Sequence, residues 1–271
     1  MNGYQRVMKA LRFEPADRVA IIPELIQHNL EVAGETHGAY SSDPKVMAKV
    51  ILAGLNAYET DAVYVSSDNY LIVEAMGGTV KLPQEFMINL IDEPELCHEL
   101  LEICTESAIR YGVAAAEAGA HGLAFGDSAS VLISRSMYEE FALPYAKRTI
   151  AALREKTGLP VFYHVCGNTR HILDLMMDTG AECIEIDSMV PMALAREAAA
   201  GRCAVEGNVS TIEAFYQGTA EDVTREANAI IDLFGNRGGL ILSSACEIPR
   251  HTKAENVRAL TDAALNYPYE E

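Results

Sequence analysis

Short runs of β-branched and apolar residues recur along the chain, separated by longer stretches in which apolar positions return every three or four residues. The runs cover residues 19–23, 62–66, 122–125, 160–164, 183–186, 203–206 and 240–243, and each predicts a strand. Most are entered through a glycine that closes the preceding helical stretch, as at Gly158, Gly180 and Gly201. Helix starts are marked by Asp43-Pro44, by Asp92-Glu93-Pro94-Glu95 and by Thr219-Ala220-Glu221-Asp222, the second with the Asp-x-x-Glu spacing of a capping box. Beyond that second signal, Leu96, Leu100, Ile103 and Cys104 predict one apolar helix face turned to the core.

Strand–helix alternation over seven strands reads as a parallel α/β fold. No Gly-x-Gly-x-x-Gly follows the first strand and no Walker-type loop exists, so the open-sheet nucleotide folds lose support. No low-complexity linker interrupts the pattern. Residues 1–271 therefore read as one domain with a TIM-barrel-like (β/α)8 architecture. Seven strands are one short of eight. The missing or irregular unit is the third, because Lys81-Leu82-Pro83-Gln84-Glu85 passes almost directly into the helix led by Asp92. An open barrel would expose two strand edges and invite partner contacts, a homo-oligomer among them.

Composition narrows the function classes. The 271 residues are 49% hydrophobic and 22% charged, a globular balance. Lys and Arg total 21 against 39 Asp and Glu, giving a net charge of −18. That surface argues against nucleic-acid and anionic-membrane partners. No apolar run approaches the roughly 18 residues of a membrane span, and the N-terminus leads into an amphipathic stretch, so the expected compartment is the cytoplasm. There, the six cysteines should be free thiols, buried apolar residues or metal ligands.

A barrel carries its active site at the C-terminal ends of its strands. Those ends here offer Glu24, Ser67, Asp68, Asp127, His164, Cys166, Asp187, Glu206, Asn208, Cys246 and Glu247. His164 and Cys166, two apart on an extended strand end, face the same side, with Gly167 opening the backbone beside them. Cys246 leaves the last strand toward the same mouth. One imidazole and two thiolates make three zinc ligands with a fourth position open. Cys97, Cys183 and Cys203, on a helix or at strand beginnings, read as buried. Zinc with two thiolates and a neutral histidine is formally neutral, so a substrate thiol in the fourth position would bind as thiolate. Such a site suits alkyl transfer to sulfur better than hydrolysis. Glu206 is the expected carboxylate near the metal, as exchangeable ligand or outer support, with Glu24 and Glu247 as lesser candidates. Asp127 and Asn208 are placed to hydrogen-bond substrate or to brace loops. His28, His37, His98, His121, His171 and His251 read as surface or capping residues, and Tyr163 as packing.

Several segments carry a family resemblance. They are Arg6-Val7-Met8-Lys9-Ala10-Leu11, Pro15-Ala16-Asp17-Arg18-Val19, Val65-Ser66-Ser67-Asp68, Gly126-Asp127-Ser128-Ala129-Ser130 and Tyr138-Glu139-Glu140-Phe141. His164-Val165-Cys166-Gly167-Asn168, Glu206-Gly207-Asn208-Val209 and Ala245-Cys246-Glu247-Ile248-Pro249 complete the set. The chain resembles the uroporphyrinogen decarboxylase superfamily, and within it the zinc-containing, corrinoid-dependent methyltransferases, whose zinc motif is His-x-Cys…Cys. The resemblance implies methyl transfer between a methylated corrinoid (methylcobamide) on a partner protein and a small thiol such as coenzyme M, or another small methyl donor or acceptor. No corrinoid-binding Asp-x-His-x-x-Gly occurs here, which supports a separate carrier. Asp68 matches an aspartate that decarboxylases use and methyltransferases also carry, and is the expected catalytic partner of Glu206. The decarboxylase branch is the alternative. It needs basic residues near the first strand, and residues 23–30 contain no arginine. A catalytically inactive zinc- or corrinoid-protein-binding module is the third reading, suggested by the missing unit.

Overall fold

A computed structural model of the chain describes residues 1–66 and 84–269. Among the described residues six strands stand, all parallel: β1 (Ala20–Ile21), β2 (Leu123–Gly126), β3 (Val161–Val165), β4 (Cys183–Ile186), β5 (Ala204–Val209) and β6 (Leu240–Ser244). They pair in the order β1-β6-β5-β4-β3-β2, so the first strand neighbours the last as it does around a barrel. The helices before β2 are α1 (Gly3–Leu11), α2 (Ile26–Ala33), α3 (His37–Ser42), α4 (Pro44–Tyr58), α5 (Gln84–Asp92) and α6 (Pro94–Glu117). After β2 come α7 (Arg135–Phe141), α8 (Leu143–Thr157), α9 (Leu173–Met176), α10 (Met192–Ala199), α11 (Ala220–Phe234) and α12 (Ala254–Asn266).

Strand alternation builds two faces. Val161, Tyr163, Val165, Ile184, Ile186, Val205, Leu240 and Leu242 point outward into one core shared with the helices. The inward positions Ala20, Ile22, Phe162, Cys183, Ala204 and Ile241 form a second apolar cluster, joined by Val7 and Ala10 of α1. Further along the same strands the inward residues turn polar: His164, Glu185, Glu206 and Ser243. The switch from apolar to polar along one face is what places chemistry at one end of the barrel.

The expected seventh strand, residues 62–66, forms no ladder. Its side chains still alternate, with Ala62 and Tyr64 against the interior cluster and Val63 and Val65 exposed. Among the described residues no third strand stands on its far side, so β1 and β2 are the sheet edges. Ala124 and Gly126 of β2 are exposed accordingly.

Two local expectations are corrected. The Asp-x-x-Glu signal does not cap α6: the N-cap is Glu93, without a side-chain bond, and Pro94 follows in the first turn. A proline there has no N–H to satisfy. The face of α6 turned to the core is also different from the expected one. Cys97, Thr105, Ile109 and Gly112 are buried, whereas Leu96, Leu100, Ile103 and Cys104 are exposed. Gly112 explains the choice, because a Cβ there would lie 2.5 Å from Leu153 Cδ2 of α8; the helices close on that bare position. The signals at Asp43 and Thr219 do cap their helices, the latter in a full capping box.

Candidate metal centre

The alternation of β3 sends Tyr163 and Val165 outward and His164 inward, and the chain reaches Cys166 just past the strand end. Gly167 then takes φ +83°, a turn open to glycine at little cost. Its N–H donates to Asp187 Oδ2 at 2.9 Å, tying this turn to the loop after β4. Asp187 Oδ1 also accepts from Met189 N at 2.9 Å, and Asn208 Nδ2 donates to the carbonyls of Asp187 and Val190 at 3.1 and 2.8 Å. Asp127 accepts from Ser130 Oγ at 2.5 Å and Tyr163 Oη at 3.2 Å, and Tyr163 Oη lies 3.0 Å from Tyr138 Oη. Asp127 and Asn208 thus brace loops in this structure, and Tyr163 is packed as expected. His28 differs from expectation: it is buried, with Nε2 2.7 Å from Tyr58 Oη. Asp68 lies outside the described residues.

His164, Cys166 and Cys246 come together. Their ligand atoms all lie within 4.8 Å of one another, with His164 Nε2 2.8 Å from Cys166 Sγ and the two sulfurs 3.9 Å apart. Ser128 Oγ is 3.5 Å from Cys166 Sγ. With only protein around it, the Cys166 thiol is held down at about 4, first by the Cys246 S–H that donates to it and then by His164, against burial. Cys246 is pushed up correspondingly by the Cys166 sulfur and by burial. One sulfur is ready as a thiolate at neutral pH, whereas the other, and the His164 ring, must each lose a proton when a cation arrives.

On its other side, His164 Nδ1 lies 3.2 Å from Glu185 Oε2. Burial lowers the His164 pKa, but Glu185 and the Cys166 sulfur outweigh it and raise it to about 11. Glu185, Glu24 and Glu206 share the barrel interior, and three carboxylates cannot all ionise in so little water. Burial raises Glu185 too, yet His164 and a hydrogen bond from Glu24 bring it below its ordinary value. Glu24 and Glu206 are pushed well up, by burial first and the Glu185 charge next. The Tyr64 hydroxyl meets both Glu206 oxygens at 3.0 Å. Glu247, also raised by burial to about 7, accepts from Gln27 N at 2.7 Å.

The donor set fits zinc: two soft sulfurs and an imidazole converge, and the second imidazole nitrogen faces a buried carboxylate, the usual outer support of a zinc histidine. Cys97, Cys183 and Cys203 are buried away from it. Glu206, expected beside the metal, is not among the residues whose ligand atoms converge with these three; it sits deeper, under Tyr64. The carboxylate against His164 is Glu185, which sequence reasoning passed over. Its signal was present, a charged residue between Ile184 and Ile186 in an otherwise apolar strand. Glu185→Gln, which keeps the shape and removes the charge, should weaken zinc binding roughly 10- to 100-fold in chelator competition. Unchanged affinity would remove Glu185 from the site.

A protein-family model described as Uroporphyrinogen decarboxylase (URO-D) matches residues 2–89 and 83–267, two segments that meet where the third unit was expected. The Methylcobamide:CoM methyltransferase MtbA of Methanosarcina acetivorans is 29% identical over 220 residues, covering 77% of this chain and 63% of that protein. A uroporphyrinogen decarboxylase of Paraburkholderia phytofirmans is 29% identical over 176 residues, covering 64% and 47%. The chain thus spans less than two thirds of the length of these curated relatives. A solved methyltransferase from Methanosarcina mazei superposes with a TM-score of 0.87 over 98% of this chain and 99% of that one, at 22% identity, and shares the fold. The six parallel strands are accordingly the wall of a TIM-barrel-like α/β fold. With matches running from residue 2 to residue 267, this chain belongs to the uroporphyrinogen decarboxylase (URO-D) family.

Proposed function

We propose that this chain is a zinc-dependent methyltransferase that moves a methyl group between a corrinoid protein and a small thiol. The convergence of His164, Cys166 and Cys246 carries this reading. Bound there, zinc would supply a position that keeps a substrate thiol as its thiolate at neutral pH. The chain's own residues do the rest of the positioning. The Glu185 carboxylate faces the second nitrogen of the His164 ring, Asp187 ties down the turn carrying Cys166, and Asp127 braces the loop that brings Ser128 against the Cys166 sulfur. Glu206, and Asp68 from its place in the family motif, are proposed to act near the bound substrate, and Glu24 at its inner end.

The decarboxylase reading is less well supported. A polycarboxylate would enter an interior already holding Glu24, Glu185 and Glu206, with no arginine in residues 23–30 to oppose it. The curated methyltransferase relative also covers more of this chain than the decarboxylase.

Thiol activation has a direct test. A free thiol ionises near a pKa of roughly 8.5, so binding as thiolate should release about one proton near neutral pH. Calorimetry of coenzyme M binding to zinc-loaded protein, in two buffers of different ionisation enthalpy, reads that number. Binding without proton release, and without an added sulfur in the zinc X-ray absorption spectrum, would turn the proposal toward an ether or amine methyl donor.

A further inference from the structure

Helix α6 carries more apolar surface than its own chain covers. Cys97, Thr105, Ile109 and Gly112 seat it on the core. Around the helix from them run Leu96 (56% exposed), Leu100 (43%) and Ile103 (54%), followed by Ser107 and Tyr111, at steps of four, three, four and four residues. From Leu96 to Ser107 that is the a/d spacing of a two-helix seam, and Tyr111 extends the same face one turn further. Neighbouring α5 adds Ile88 and Ile91, 56% and 74% exposed. Only the strip with Glu95, Glu99, Glu102, Glu106 and Arg110 is charged. A surface helix needs an apolar stripe of roughly 100°, and α6 has two. The five exposed Leu and Ile side chains present on the order of 500 Å² of apolar surface, at the upper end of what monomers leave uncovered.

We propose that this face is a self-association surface, on which two copies of the chain pack α6 against α6, antiparallel and two-fold symmetric about Ile103. The charges favour this occupant. Arg110 has no ion-pair or hydrogen-bond partner among the described residues, and an antiparallel pairing about Ile103 sets it beside Glu95 and Glu99 of the second copy. Glu102, near the axis, is already matched by Arg148 of its own chain, at 2.9 Å from Nη1 and 2.6 Å from Nη2. The like charges that would meet at the centre are therefore balanced within each copy. Burying the patch on both sides removes about 1,000 Å² in total, the lower bound for a specific interface. Exposed Cys104 falls one residue from the axis.

Sedimentation velocity on the zinc-loaded chain at tens of micromolar should show a dimer. Ile103→Glu, which sets two charges against each other on the axis, should convert it to monomer. Because Ile103 is exposed, the variant should keep the wild-type circular dichroism and zinc content. A short bis-maleimide linker should join wild-type chains through Cys104, and Cys104→Ser should lose the cross-linked band. A monomeric wild type, whatever else then binds the face, would overturn the proposal. So would a dimer that survives Ile103→Glu, or cross-linking that survives Cys104→Ser.

Discussion

Cys166→Ser or Cys246→Ser will lower bound zinc from about one per chain to a small residue, with affinity at least about 100-fold weaker. Among the described residues His164, Cys166 and Cys246 form the group that brings sulfur to one point, a second group of Glu24, His164 and Glu185 offering carboxylates instead. Removing one sulfur leaves two ligands there, and a serine hydroxyl does not replace a thiolate for this ion. The readout is metal analysis after dialysis against a weak chelator, with circular dichroism confirming the fold. Cys183→Ala provides the contrast. That thiol is fully buried in the apolar interior cluster, so its loss should cost packing, roughly 0.5–3 kcal/mol, and leave zinc content unchanged. Full zinc retention in the double variant Cys166→Ser, Cys246→Ser would place the metal elsewhere.

The second large effect lies at the opposite end of the barrel. The Asp61 side chain is buried and receives Arg18 Nη1 at 2.6 Å and Nη2 at 3.1 Å, Arg6 Nη1 at 3.0 Å and the backbone N–H of Ile21 at 2.9 Å. One carboxylate thus joins α1, β1 and the segment leading to residues 62–66. Asp61→Ala leaves a buried guanidinium without an anion and an orphaned strand N–H, and should destabilise by about 3–5 kcal/mol. Asp61→Asn, which keeps an acceptor, should cost less. Denaturant unfolding measures both. A loss under about 1 kcal/mol for Asp61→Ala would mean that this edge of the sheet is held by packing alone.

The fold was legible because strand–helix alternation, with glycines closing helices, is a local pattern. Six of the seven expected strands stand within one to three residues of the expected positions at each end. Residues 62–66 kept the alternation of a strand without the ladder. A ladder needs a neighbour, and composition says nothing about neighbours. The convergence of His164, Cys166 and Cys246 was legible for a similar reason: His164 and Cys166 are set by strand period, and Cys246 by a barrel's habit of collecting strand ends. What the sequence did not reveal depends on tertiary contact. Glu185 against His164, Tyr64 over Glu206, and the choice of Gly112 over Leu100 as the seat of α6 are decided by which surfaces meet. The exposed seam of α6 reads as a core face in one dimension because its spacing is that of a buried stripe.

The most direct measurement of the proposed activity is methyl transfer from methylcobalamin to coenzyme M by the zinc-loaded chain, followed by the absorbance change as the cobalt–carbon bond is lost. The predicted result is turnover that requires zinc, yields the methyl thioether and disappears in Cys246→Ser. A chain that holds one zinc through His164, Cys166 and Cys246, yet moves no methyl group above the protein-free rate with coenzyme M or other small thiols, would contradict it.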